Sequence, residues 1–424
     1  MINRTIAPAN NKLSQPALLH PVKIKASNGT AIYAFNAPGC KVVQLELVFS
    51  GGQLKQQKPL QSSFTAQMMS EGTKSYDAKT IASTLDFFGA SFQVDSDMHN
   101  HIIAVGCTKE SLGKLVQVIQ EIATAPLFNE KEFAIQLNSG RERFKVNTQK
   151  VDYIARQQFN ASLYGATSVL GRPVVLDDYD SINANDLKSF FSEVVHGKLE
   201  HVIASGDIDK ETIAVISDFV SGIGHINPPK KTIIPISIPK TTTQFFEVKD
   251  AMQSAIRIGY NAIPRQHDDY PALQVANMIL GGYFGSRLMS NIREDKGYTY
   301  GIGSSVVPLA ESGYLVIATE VGTNVTQAAL DEIYKEIKLL CTVPVDKDEL
   351  ELARNYLVGS FIRNSDGVFA MADRFKALLY SDLDYAYYDH YFNVIENITS
   401  QEIMKVAKEY FEKPNIEVVA GGKS

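Results

Sequence analysis

The chain has 424 residues, 45% of them apolar, more than one hydrophobic core usually organises, so two domains are expected. A formal charge of -6, with no run of Lys or Arg, gives no basic field for a phosphate backbone and excludes nucleic acid as the natural partner. No run of about 18 apolar residues can span a membrane, and Met1–Asn11 lacks the apolar core of an export signal, so a soluble, cytoplasmic protein is expected.

Along the chain, alternating residues from Val43 to Phe49 predict a strand, and a helical run from about Leu60 to Ser70 ends at Gly72. Phe92 to Val105 reads as strand and leads to Thr108, an N-cap candidate for a helix whose Leu112, Leu115, Val116, Ile119 and Ile122 share one face. That helix closes near Pro126, where another begins. Pro228, Pro229, Pro235 and Pro239, four of the sixteen prolines, then mark a stiff linker over residues 227–243. Beyond it the order returns. Ala255 to Tyr260 precedes a helical run from Pro271 to Leu280 that ends at Gly281 and Gly282. A helix from about Arg287 stops near Gly297, with a strand starting at Tyr298. Tyr314 to Thr319 leads to a helix with Val325, Ala329, Ile333, Ile337 and Leu340 on its face. This helix closes near Pro344, and Asp346-x-x-Glu349 then has the spacing of a capping box.

Gly72 and Gly282 are 210 residues apart and Pro126 and Pro344 are 218 apart, so order and spacing are both kept. The expectation is an internal duplication: two homologous domains, 1–226 and 244–424, on either side of the linker. Strands and helices come in separate runs, so each domain is α+β, a largely antiparallel sheet packed with helices.

The segment Leu280-Gly-Gly-Tyr-Phe-Gly-Ser-Arg-Leu-Met-Ser-Asn-Ile-Arg-Glu-Asp-Lys-Gly-Tyr-Thr-Tyr300 closely resembles the C-terminal-domain signature of the insulinase and pitrilysin-like zinc metallopeptidases. Asn355-Tyr-Leu-Val-Gly-Ser-Phe361 and Leu170-Gly-Arg-Pro173 also resemble family segments. Active members carry His-x-x-Glu-His on an N-domain helix, two imidazoles for zinc and a carboxylate to activate water. With the family's Gly-Thr set on Gly72 and Thr73, the three positions are Ser63, Ala66 and Gln67. A hydroxyl, a methyl and an amide replace neither the imidazole ligands nor the general base. The family's third ligand, a glutamate, has Glu142 as its possible remnant, but between Arg141 and Arg143 it reads better as a surface salt-bridging residue. No metal site, cofactor or catalytic residue is therefore expected in the isolated chain.

The resemblance implies that Arg293 and Tyr300, seven residues apart, reach across a chamber to a zinc site in a facing domain. Several fixed donors and one hydroxyl suit them to bind a substrate carbonyl and steady the oxyanion. Without the resemblance, Arg293 would read as a partner of a surface carboxylate and Tyr300 as a half-buried strand residue. Asp95, Asp97, His99 and His101 alternate along one expected strand and would share a face, either as a polar lining or as a metal site. Gly281, Gly282 and Gly285 fit neither phosphate-loop pattern and read as turn and close-packing glycines. Cys40, Cys107 and Cys341 form no Cys-x-x-Cys pair, and no Gly-x-Ser-x-Gly elbow occurs. The expected function is that of the metal-free subunit of a heterodimeric peptidase. Its partner is a homologous zinc-binding subunit, its substrate is a peptide, and a homodimer is open to the isolated chain. The alternative is a structural or assembly subunit with no part in proteolysis.

Overall fold

The computed structural model describes residues 13, 15–229, 233–234, 236 and 242–422. Met1–Asn11, Pro235 and Pro239 lie outside the described residues. Strands β1 (Val22–Lys25), β2 (Ala31–Asn36), β3 (Val42–Ser50), β4 (Ser91–Ser96), β5 (Asn100–Thr108) and β6 (Leu199–Gly206) make one sheet in the order β1-β2-β6-β3-β5-β4. Strands β7 (Thr242–Glu247), β8 (Gln253–Ala262), β9 (Thr299–Pro308), β10 (Gly313–Gly322) and β11 (Ile416–Gly421) make a second, β7-β11-β8-β10-β9. Apart from the edge strand β1, the two orders coincide. Each sheet has one parallel pair, β2 with β6 and β7 with β11, and its other pairs are antiparallel. A parallel pair needs a long crossover, and here it spans nearly the whole of each half. The chain is a duplicated α+β protein.

The strands expected at Val43–Phe49, Ala255–Tyr260 and Tyr314–Thr319 fall inside β3, β8 and β10. The stretch expected as one strand from Phe92 to Val105 is instead the hairpin of β4 and β5. Asp97 Oδ1 accepts the backbone N–H groups of His99 and Asn100, each at 2.7 Å, and this local turn folds the chain back. Asp95, Asp97, His99 and His101 are thus split between two strands and a turn, and they share no strand face.

Helix Lys109–Thr124 buries Leu112, Leu115, Ile119 and Ile122, with Val116 at the margin. Thr108 stands at its N-cap as expected, but the hydroxyl meets the Ser111 hydroxyl at 2.9 Å and makes no bond to a backbone N–H of the first turn. Helix Thr326–Thr342 buries Ala329, Ile333, Ile337 and Leu340, and Val325 stands just before it. The next helix, Lys347–Arg363, is capped by Asp346, whose carboxylate accepts the Asp348 N–H at 2.8 Å. The reciprocal half of the expected capping box is missing. Glu349 takes two bonds from Arg287, at 2.7 and 2.8 Å, a forked pair between opposite full charges that displaces the single bond from the cap N–H. No helix among the described residues is long and apolar enough to cross a membrane.

The halves exchange helices. Helix Val151–Tyr164 belongs to the first half yet packs on the second sheet, burying Ala155, Phe159 and Leu163 with Ala255, Ile416, Val418 and Ala420. Gly259 is required there, since a Cβ would lie 2.6 Å from the Phe159 ring. Helix Gly367–Leu379, starting 216 residues later, packs on the first sheet, with Val368 and Ala372 against Phe35 and Ile203. Phe375 adds ring contacts to Tyr33 at 4.9 Å and Phe35 at 5.5 Å.

Each exchanged helix is also pinned by charge. Arg257 of β8 donates to Asp152 at 2.6 Å, and Lys376 donates to both oxygens of Glu46 of β3 at 2.7 Å. Glu46 and Arg257 are 211 residues apart, the same offset as the starts of β3 and β8. Glu46 is 9% exposed, so removing its cation strands a nearly buried carboxylate. Lys376→Met is expected to lower the unfolding free energy by about 3 kcal/mol in urea titrations, and Glu46→Met added to it restores most of the loss.

Candidate functional site

The signature region folds into a corner. Residues Arg287 and Leu288 are helical and lead into a π-helical turn, Met289–Asp295. Gly297 then takes φ +64°, and the Tyr298 N–H donates back to the Ile292 carbonyl at 3.0 Å. A left-handed residue of this kind ends a helix and reverses the chain, and glycine adopts it without steric cost. The strand begins at Thr299, one residue later than expected. The reversal carries Tyr300 past the end of the helix, where its carbonyl accepts the Arg293 Nε–H at 3.0 Å.

Arg293 and Tyr300 are thereby brought together through a side chain and a backbone carbonyl. The Arg293 guanidinium also lies 4.5 Å from the centroid of the Phe284 ring, a cation–π contact. Its nearest carboxylate among the described residues is Glu294, a distant 3.9 Å away. Tyr300 is 95% exposed, so its hydroxyl is presented outward and is no half-buried strand group. Gly281 supports the corner by close approach: a Cβ there would lie 2.9 Å from the Ser304 backbone nitrogen of β9. Phe284 carries no signal in periodicity. Its only clue is the aromatic pair Tyr283 and Phe284 standing between Gly282 and Gly285.

The other sequence-picked positions lie on helix Gln61–Met68, which packs against β4 and helix Ala184–Phe190, whereas the Arg293 turn packs against β9 and helix Thr326–Thr342. Ser63 donates its hydroxyl to the Leu60 carbonyl at 3.0 Å, Ala66 is buried and Gln67 is exposed. This donor set does not fit zinc, because no imidazole, thiolate or carboxylate stands at any of the three places. Glu142 pairs with Lys145 at 2.7 Å on the helix surface, rather than with either flanking arginine. Arg141 pairs with Asp180 instead. Among the described residues no group of three or more His, Cys, Asp or Glu side chains could hold a metal ion.

Residues 33–175 match the model of the insulinase family, peptidase family M16, and residues 181–357 match the model described as the peptidase M16 inactive domain. The chain belongs to peptidase family M16. It is 24% identical over 378 residues to a Helicobacter pylori protein named "Non-peptidase homolog YmxG", covering 87% of this chain and 86% of that one. The crystal structure of a peptidase M16 inactive domain from Pseudomonas fluorescens superposes with a TM-score of 0.84 at 20% identity, over 96% of this chain and 99% of that one. The periplasmic protease PqqL of Escherichia coli superposes at 0.76 and 14% identity, over 100% of this chain but 48% of that one. At these identities the superpositions establish the shared fold.

In this M16 chain the helix bearing Ser63 is propped by His101. That imidazole is fully buried, with Nδ1 2.6 Å from the Gly51 carbonyl and Nε2 3.2 Å from the Ser62 carbonyl. A neutral ring has one N–H, which the shorter contact assigns to Nδ1. Burial holds its pKa below the ordinary histidine range and outweighs the two carbonyls, which favour the charged ring. In the unfolded chain the ring titrates at about 6.5. Above that pH both states are neutral; below it the unfolded state binds the proton first, so stability falls. The urea midpoint is therefore expected to drop between pH 7.5 and 5, and His101→Gln to show a shallower drop over the same range.

Proposed function

We propose that this chain is the metal-free subunit of a two-subunit M16 peptidase. In that assembly Arg293 and Tyr300 grip the scissile carbonyl of a peptide and steady its oxyanion at a zinc ion held by a homologous partner. The observation that carries the reading is the asymmetry within one chain. The Arg293 corner is intact and aimed outward, whereas Ser63, Ala66 and Gln67 leave the metal helix without a ligand or a base. The guanidinium is fixed by the Tyr300 carbonyl and the Phe284 ring, so it is oriented before substrate arrives. Such pre-ordering is what an oxyanion donor requires.

Several further observations support this reading. The match to the inactive-domain model and the name of the Helicobacter relative fit a member without hydrolysis of its own. The 48% share of the PqqL chain suits a working unit about twice this one. We take residues 1–226 and 244–424 as its two domains and 227–243 as their linker, which follows helix Lys210–Ser221 and whose last two residues open β7. We assign it to the cytoplasm, where the free thiols of Cys40, Cys107 and Cys341 persist. Without its partner the chain is left to pair with a second copy.

Co-purification with the homologous zinc subunit and a fluorogenic peptide assay test the proposal. Mixing is expected to create activity that neither subunit has alone. Arg293→Ala should cut kcat/KM by about 100-fold while the complex elutes unchanged on gel filtration, and Tyr300→Phe should act in the same direction. A double variant with unaltered activity would instead identify a structural or assembly subunit.

A further inference from the structure

Phe284 stands in the short loop between two π-helical turns, Met278–Gly282 and Met289–Asp295. Its neighbour Tyr283 is committed to the protein, with its ring 4.7 Å from that of Tyr356. Gly285 makes this possible, because a Cβ there would lie 2.8 Å from the Tyr283 ring. Phe284 is thus set facing out. One face of its ring is covered by the Arg293 guanidinium at 4.5 Å, yet the residue remains 60% exposed, so the opposite face is open. The Tyr283–Tyr356 ring contact and the close approach at Gly285 hold it in that position. Stabilising Arg293 alone would use only the covered face.

We propose that Phe284 is a specificity-determining residue of this site. Its open face receives the apolar side chain of the peptide residue whose carbonyl Arg293 grips, so the chain favours peptides with an aromatic or branched apolar residue at that position. The inference rests on the Arg293 and Tyr300 reading given above. The chemistry follows from covalent geometry. A side chain branches from Cα, one bond from its own carbonyl carbon, so a carbonyl bound by the guanidinium brings that side chain beside the ring on which the guanidinium lies. Aromatic rings pack there in offset or edge-on contact, and aliphatic groups by dispersion, whereas a charged side chain loses hydration without a partner.

The test uses the full chain and fluorescein-labelled dodecapeptides of Ala and Ser in which one central residue is Phe, Leu, Gly or Lys, with binding read by anisotropy. The Phe peptide is expected to bind about tenfold more tightly than the Gly peptide. Phe284→Ala should bring that ratio within about twofold, and Phe284→Leu should retain part of it. Arg293→Ala should weaken all four peptides by a similar factor and leave their order intact. A Phe-to-Gly ratio unchanged by Phe284→Ala overturns the role of Phe284 alone. Equal binding of every peptide to the unaltered chain and to Arg293→Ala overturns the site reading as well. Circular dichroism confirms that the variants remain folded, as expected for a side chain already in solvent.

Discussion

Neither sheet of this protein can cover both its faces with helices from its own half of the chain. The first sheet needs helix Gly367–Leu379 and the second needs helix Val151–Tyr164, each delivered from the other side of the linker. Removing either uncovers an apolar sheet face, and each aromatic or branched residue re-exposed costs about 1.5–3 kcal/mol. The two homologous units are thus thermodynamically one object. The fixed mutual placement of the metal-less helix and the Arg293 corner follows from that exchange.

Within this frame the corner is built by local chemistry. Gly297 turns the chain, Gly281 lets the preceding helix approach β9, and the Tyr300 carbonyl takes the inner nitrogen of Arg293. What remains of the guanidinium, together with the Tyr300 side chain, faces outward. On the helix Gln61–Met68 the side chains serve ordinary packing: Ser63 donates to the Leu60 carbonyl at the helix start, and Ala66 joins the core.

Much of the fold could be read from residue order. The repeated spacing at Gly72 and Gly282 reflects real duplication, and the apolar stripes at Leu112–Ile122 and Ala329–Leu340 face the cores as periodicity requires. The failures have physical causes. Alternation passes over a turn when the turn is made by a side chain, as Asp97 does with two backbone N–H groups. A capping box cannot be inferred when a distant arginine competes for its glutamate, as Arg287 does for Glu349. Helix exchange is invisible to periodicity, because an apolar stripe specifies that it must be covered and not by which sheet. At the candidate site, Arg293 and Tyr300 stand out only through motif resemblance, while the contact between them runs through a carbonyl that every residue possesses. Phe284 matters only because of what lies over it.

The two charges that pin the exchanged helices have opposite polarity. The sheet position occupied by an anion in one half, Glu46, is occupied by a cation in the other, Arg257. Homologous helices and homologous sheets offer an obvious wrong assembly, each helix folding back on its own half. In that arrangement Asp152 would approach the sheet bearing Glu46, and Lys376 the sheet bearing Arg257, so like charges would meet in poorly hydrated surroundings. The correct and incorrect pairings therefore differ in sign as well as in shape, and a difference of that kind is what discriminates between near-equivalent partners. Divergence after duplication has left each helix with an address.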